Sequence, residues 1–186
     1  MATIPTFETK RLILRAPTMD DVPAYTRNFV DYEVIRNLSH IVPWPYPEGG
    51  VAEHLSQRVI PAQGNNKWVW GLFLKENPHE LIGVVDLWRP GRPENRGFWL
   101  GRRYWGQGLM TEAVTVVMDY AFDQLGFETM AFANGLGNVA SRRVKEKTGA
   151  RLIDRRPGQY VDLQLTTTEV WELTKDEWHT FRILNK

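Results

Sequence analysis

The stretch Arg103-Tyr104-Trp105-Gly106-Gln107-Gly108-Leu109-Met110-Thr111 combines residue types suited to holding a phosphate. Gly106 and Gly108, one residue apart, let the backbone turn tightly with no Cβ in the way. After them Leu109, Ala113, Val116, Val117, Tyr120 and Ala121 recur at helical spacing, with Glu112, Thr115, Asp119 and Asp123 on the other side. The glycines therefore stand where a helix begins. The free N–H groups of that helix start, its dipole and Arg103 beside them suit a pyrophosphate. Two other phosphate loops compete. A Walker loop ends in Gly-Lys-Ser/Thr, whereas Leu109-Met110 follow Gly108. A dinucleotide fingerprint needs a third glycine where Thr111 stands. A loop that merely turns the chain remains the plain alternative.

The loop must be positioned by flanking elements, and these read as an alternation of strands and helices. Arg96-Gly97-Phe98-Trp99-Leu100 is a buried strand leading into it, and Thr129 to Ala133 a strand after the long helix. Upstream, Thr9 to Ala16 alternates as a first strand, and Thr18 is an N-cap for a helix from about Asp20. His40 to Pro47 is a loop, because its prolines cannot continue a helix or a central strand. A helix from about Gly49 to Val59 follows, with Val51, Leu55 and Val59 at fourfold spacing. Trp68 to Leu74 and Leu81 to Trp88 form an antiparallel hairpin turning at Glu76-Asn77-Pro78-His79, and residues 89–94 form the next turn. Asn138 caps a helix that Gly149 stops. Ala150 to Arg155 and Thr167 to Leu173 are further strands, with a turn at Arg156-Pro157-Gly158 between them. Thr174 and Glu177 make a capping box for a last helix carrying Trp178 and Phe181.

Composition narrows the function classes. A length of 186 residues fits one domain, and 42% hydrophobic with 24% charged residues is a globular balance. The net charge of +1 argues for neither nucleic acid nor a membrane as partner. Lys and Arg nevertheless outnumber Asp and Glu nine to six over residues 101–156, against eleven of each over residues 1–100. The absence of cysteine excludes disulfides, thiolate metal sites and a cysteine nucleophile. No apolar run approaches a membrane span and no signal-peptide core opens the chain, so the expected compartment is the cytoplasm. The four histidines form no His-x-x-x-His pair and no Gly-x-Ser-x-Gly occurs, so neither a metal nor a serine-hydrolase reading is expected.

The R-x-x-G-x-G pattern of Arg103 to Gly108 resembles the acyl-CoA signature of the GCN5-related N-acetyltransferase (GNAT) superfamily. Two further stretches resemble its ribosomal-protein-alanine acetyltransferase (Rim-type) branch. One is the opening Thr9-x-Arg11-Leu12-x-Leu14-Arg15. The other is Asn138-x-Ala140-Ser141, continued by Glu146-Lys147-x-Gly149. The resemblance spans about Thr9 to Leu173. It implies an α/β (α+β) fold: a mixed, mostly antiparallel sheet flanked by helices, with the strands around Phe98 and Met130 splayed into an acyl-CoA cleft. It also implies transfer of an acetyl group from acetyl-CoA to a primary amine, either a peptide N-terminus or a small molecule.

What this implies for single residues can be set against the needs of the reaction. The pyrophosphate would be held by the backbone of Gly106, Gln107, Gly108, Leu109, Met110 and Thr111 and by Arg103. The pantetheine arm would pair with the strand edge at Phe98, Trp99 and Leu100, whose N–H groups also face the carbonyl oxygen as it gains charge. Asn138 matches the residue that holds the pantetheine amides, and Ser141 the serine that protonates the departing thiolate. The plain alternative for Ser141 is a serine bonding a nearby backbone group. Trp44 and Tyr46 would line a substrate mouth or pack their loop onto the core. A base is not assigned. Asn95 stands where many members carry glutamate, and an amide cannot accept a proton. Glu94 is adjacent, but a one-residue shift along a strand points it to the opposite face, and Asp86, Glu172, His40, a water chain or direct capture of an already neutral amine are the alternatives. Two other readings stay open, a CoA-binding module without catalysis and a nucleotide-binding protein of another kind, while the eight tryptophans leave room for a homodimer interface.

Overall fold

In the computed structural model, which describes residues 4–89 and 94–185, the strands fall into two sheets. The first runs in the order β1 (Phe7–Glu8), β2 (Leu12–Arg15), β3 (Lys67–Leu74), β4 (Asn77–Trp88) and β5 (Arg96–Leu100). The second places β8 (Thr167–Thr174) between β6 (Thr129–Gly135) and β7 (Arg151–Pro157). Every ladder among the described residues is antiparallel. The expected mostly antiparallel sheet is thus realised as two antiparallel sheets with helices against them.

β5 and β6 are edge strands that face each other and meet at Asn95. Its N–H donates to the Ala131 carbonyl at 2.8 Å, and its Oδ1 accepts from the Ala131 N–H, also at 2.8 Å. Beyond that point the two strands share no ladder, which is the opening expected between Phe98 and Met130.

Helix α4 (Leu109–Asp123) spans the junction. It buries Leu109, Ala113, Val117 and Ala121 as its spacing requires, and Met110, Val114, Met118 and Phe122 as well. Its buried stripe is wide because it packs against Trp68, Trp70 and Leu87 of the first sheet and Met130, Phe132 and Leu173 of the second within one cluster. A second cluster lies on the opposite face of the first sheet. There Tyr25 and Phe29 of α1 (Val22–Phe29) pack on Trp99 and Val84, joined by Val51, Leu55 and Val59.

Several boundaries differ from those read in the sequence. The helix expected at 49–59 is α3 (Gly50–His54), continued by a wider π turn over Leu55–Val59 and a 3-10 turn over Ile60–Ala62. The inward face survives this change of pitch. The hairpin turn is Lys75-Glu76, and β4 already begins at Asn77. Pro78 is tolerated there because the ladder with β3 shifts register beside it and pairing with β5 starts only at Gly83. β7 likewise runs on to Pro157, two residues past the expected strand end. Of the turn expected at 89–94, residues 90–93 lie outside the described residues. A 3-10 turn (Met19–Asp21), boxed by Thr18 and Asp21, precedes α1, and the short α2 (Tyr32–Ile35) follows it. α5 (Val139–Glu146) starts at Asn138, and α6 (Lys175–Leu184) starts at the expected capping box with Trp178 fully buried.

Candidate functional site

The glycine loop has the backbone its sequence demands. Gly106 and Gly108 adopt φ of 74° and 75°, a region that favours glycine, and Gly108 is the residue from which α4 departs. The first N–H groups of α4 lie beyond the reach of any preceding turn and point out of its start. The helix start is clamped from the turn between β1 and β2. The Thr9 hydroxyl, the Arg11 N–H and the Arg11 guanidinium all donate to the Glu112 carboxylate at 2.6–2.8 Å. Arg11 Nη1 also donates to the Gln107 carbonyl at 2.9 Å. Burial pushes the Glu112 carboxyl up, but these donors prevail and hold it below the usual carboxylate range.

A cleft of about 1140 Å³ opens from this loop and passes along β5. Phe98, Trp99 and Leu100, then Gly106, Gly108, Leu109, Met110 and Thr111, and finally Asn138 and Ser141 line it. The structure thus gathers most of the residues singled out in the sequence into one cavity. Arg103 and Gln107 are not among the lining residues. Arg103 instead bonds Glu80 and the Tyr104 hydroxyl, and Glu80 also binds Arg27 and Asn28, so this arginine ties the loop to α1. Gln107 donates its side-chain amide to the Arg103 carbonyl at 3.2 Å. Tyr46 lines the cleft and stacks edge-on against Phe29 at 5.2 Å, whereas Trp44 is 43% exposed and leans on Tyr32 outside it.

The two faces of β5 carry different chemistry. On one face Gly97 lies opposite Asp86 and Trp99 opposite Val84, alongside Tyr25 and Phe29. A Cβ at Gly97 would come within 2.6 Å of Asp86 Oδ1, so any other residue here would push that carboxylate aside. Burial pushes the Asp86 carboxyl above its usual range, opposed by Lys67 at 3.4 Å and by a backbone hydrogen bond from Gly97. His54 also lines the cleft, and burial together with the Lys67 and Arg58 charges lowers its pKa.

On the other face, Arg96 and Phe98 point towards β6 and α5. Asn138 Oδ1 accepts from the Ser141 N–H at 3.1 Å, fixing the first turn of α5. The Ser141 hydroxyl is bonded by Lys145, one helical turn on, with Nζ···Oγ at 2.8 Å. Lys145 is 1% exposed, and burial plus the nearby Arg96 charge hold its pKa well below the ordinary lysine range. Arg96 is 3% exposed, its guanidinium stacked 4.0 Å from the centroid of the Phe132 ring, and burial pushes its pKa down to about 9. Sequence reasoning passed over both cations. The signals were there: Arg96 falls in phase with Phe98 and Leu100 on an inward strand face, and Lys145 lies four residues after Ser141.

Of the bases considered, Asp86 and Glu94 line the cleft. Burial also pushes the Glu94 carboxyl up, opposed by Lys145 and Arg156. Glu172 is bonded to Arg151 on the second sheet, and His40 lies on the exposed loop. Asn95 is 5% exposed and engaged in joining β5 to β6. Among the described residues no helix is long and apolar enough to cross a membrane, and no group of three or more His, Cys, Asp or Glu is placed to hold a metal ion.

Comparison with known proteins places this arrangement. The family model described as an acetyltransferase (GNAT) domain matches residues 11–151. YdaF of Bacillus subtilis, provisionally named a ribosomal N-acetyltransferase, is 29% identical over 99 residues, 53% of this chain and 54% of YdaF. YjcK of the same organism, named as an N-acetyltransferase, is 30% identical over 108 residues, 56% of this chain and 59% of YjcK. The chain thus spans little more than half the length of these curated relatives. Among solved structures, the ribosomal alpha-N-protein acetyltransferase RimL in complex with coenzyme A superposes with a TM-score of 0.77 at 17% identity, over 93% of this chain and 99% of RimL.

Proposed function

The chain belongs to the acetyltransferase (GNAT) family, and from that premise we propose that it transfers an acetyl group from acetyl-CoA to a primary amine, a peptide N-terminus or a small-molecule amine, with both substrates bound together. The observation that carries this is the division of labour across β5: a carboxylate with raised pKa on one face, a polarised hydroxyl on the other, and one cleft reaching both. The residues present fit acetyl-CoA. The loop at Gly106 and Gly108 offers open backbone, since a Cβ at Gly106 would meet nothing within 4 Å. β5 offers an unpaired edge beyond Asn95, and Asn138 caps the start of α5 where that helix lines the cleft.

Acetyl-CoA supplies an activated acyl group as its thioester. The chain's residues divide the remaining work. The N–H groups from Gly106 to Thr111 would hold the pyrophosphate at the helix start. The backbone of Phe98 to Leu100 would hold the pantetheine arm along the free edge of β5 and would supply N–H donors for the carbonyl oxygen. Asp86, whose raised pKa is matched to taking a proton, receives the ammonium proton on the face shared with Tyr25, Phe29 and Trp99. Ser141 would give its hydroxyl proton to the departing thiolate, and the second proton that the amine sheds on acylation would restore that hydroxyl, with Lys145 Nζ hydrogen-bonded to its oxygen throughout. Tyr46 and Phe29 form the apolar approach for the amine-bearing group.

A catalytically silent CoA binder loses its main support here. The missing glutamate at Asn95 is offset by Asp86, and the asparagine has a structural use. Calorimetric titration with acetyl-CoA, with ATP and NAD as controls, tests the cofactor, and a panel of amines and peptides then tests transfer. Acetyl-CoA alone should bind. Ser141→Ala should keep that binding while the transfer rate falls by about a hundredfold or more, the lower end for general acid catalysis. Equal affinity for ATP, or a rate untouched by Ser141→Ala, would overturn the assignment.

A further inference from the structure

Arg96 and Lys145 place two buried basic side chains at one end of the cleft, and among the described residues neither forms an ion pair. All three nitrogens of the Arg96 guanidinium are enclosed and lack a hydrogen-bond partner. Among the described residues, Lys145 Nζ bonds within its own helix, to the Ser141 hydroxyl at 2.8 Å and the Ser141 carbonyl at 3.5 Å. The carboxylates that attract Lys145 are Glu94 and Glu169. Glu169 is already bound by Arg142, Arg155 and Asn134, and no ion pair among the described residues joins Glu94 to either cation. Burying a charge unpaired is costly, and here two like charges lie close enough to disfavour each other. Phe132 and Phe98 rings beside the cations soften that cost without removing it.

We propose that Arg96 and Lys145 form a carboxylate subsite at the thioester end of the cleft, so that one of the two substrates carries a carboxylate close to the group transferred. Both residues line the cavity, and so do Phe98 and Ser141 between which they sit. This rests on the acetyltransferase reading, which places the thioester at Ser141. The face they occupy is that of Ser141 and not that of Asp86 and the aromatic approach. An acyl chain ending in a carboxylate reaches it most directly, and a carboxylate on the acceptor amine is the other source of the same chemistry.

The test has two arms, both read by calorimetry. In the first, wild-type protein is titrated with acetyl-CoA and with succinyl-CoA. In the second, protein loaded with CoA is titrated with phenylalanine and with phenylalanine amide. The carboxylate-bearing member of one pair should bind about tenfold tighter or better, as charge-assisted hydrogen bonds provide. That preference should fall towards one in Arg96→Met and in Lys145→Met. A preference in the first arm assigns the carboxylate to the acyl chain, and one in the second assigns it to the acceptor. A preference below about twofold in both arms, including no binding of either amine, overturns the subsite. So does a preference that survives in the variants. The wild-type comparison decides even if Arg96→Met fails to fold. Failure of every CoA thioester to bind removes the acetyltransferase reading as well, whereas acetyl-CoA binding without preference removes the subsite alone.

Discussion

Burial beside the cleft shifts the Asp86 pKa up and the Lys145 pKa down, and each shift has its own consequence with pH. A base works when deprotonated, so the amine-transfer rate should rise as pH climbs through the Asp86 pKa, which burial lifts above the usual 3.8. Asp86→Asn keeps the shape and cannot take a proton. Its kcat/KM should fall about a hundredfold or more and lose that acidic limb, and a pH–rate profile of both proteins decides the point. For Lys145 the consequence is for stability. Its folded pKa lies below 10.5, so between the two values the unfolded chain binds the extra proton and stability rises with pH. Lys145→Met lacks that slope. The variant should be the more stable protein at pH 7, with its advantage shrinking by about 1.4 kcal/mol per pH unit as pH nears 10.5. Denaturant titrations at pH 7, 8.5 and 10 read this directly. The place of Ser141 in the first turn of α5 was legible because its motif is local: a cap, a serine and a helix stop within twelve residues. Its partner was not, since a lysine four residues on reads equally well as a solvated helix face. Only the packing of α5 against β5 and β6 decides which way it points.

The elements were legible wherever one periodicity or one cap fixed them. β5, α4 and α6 begin where alternation, glycine and the Thr174–Glu177 box put them. What sequence could not supply was how the elements meet. The opening between β5 and β6 depends on Asn95, read only as a departure from a pattern. Here its side chain mimics a backbone carbonyl, accepting the Ala131 N–H at 2.8 Å, while its own N–H donates to the Ala131 carbonyl. The two edges are thereby pinned at one point and free beyond it. Asn95→Ala removes the side-chain acceptor and leaves the half-buried Ala131 N–H without it. The expected cost is about 1–3 kcal/mol. It should appear as a lower midpoint in denaturant, with faster hydrogen exchange concentrated at β6 if the contact is the pin. A uniform loss across both sheets would mean that α4 alone holds them together. The Arg103 guanidinium teaches a similar lesson: a cation beside a phosphate loop is drawn to Glu80 on β4 instead.

At the scale of the whole molecule, the two sheets share the α4 core but no ladder, and the cleft is the seam between them. A ligand lying in that seam contacts β5, the glycine loop and α5 at once, joining parts that the fold leaves separate. Binding should therefore stabilise the protein globally and not only at the loop. At a concentration about a hundredfold above its Kd, acetyl-CoA adds about 2.7 kcal/mol to the unfolding free energy. For a chain of this size that corresponds to a rise in Tm of roughly 5–10 °C. ATP, which shares the phosphates but not the pantetheine arm, can reach the loop and not the seam. Scanning melts with each ligand should show the large shift for acetyl-CoA alone, with amide protection appearing on β5 and α5 together. Equal shifts for the two ligands would place all the binding energy at Gly106 to Thr111, and the free edge of β5 would then have no part in holding the cofactor.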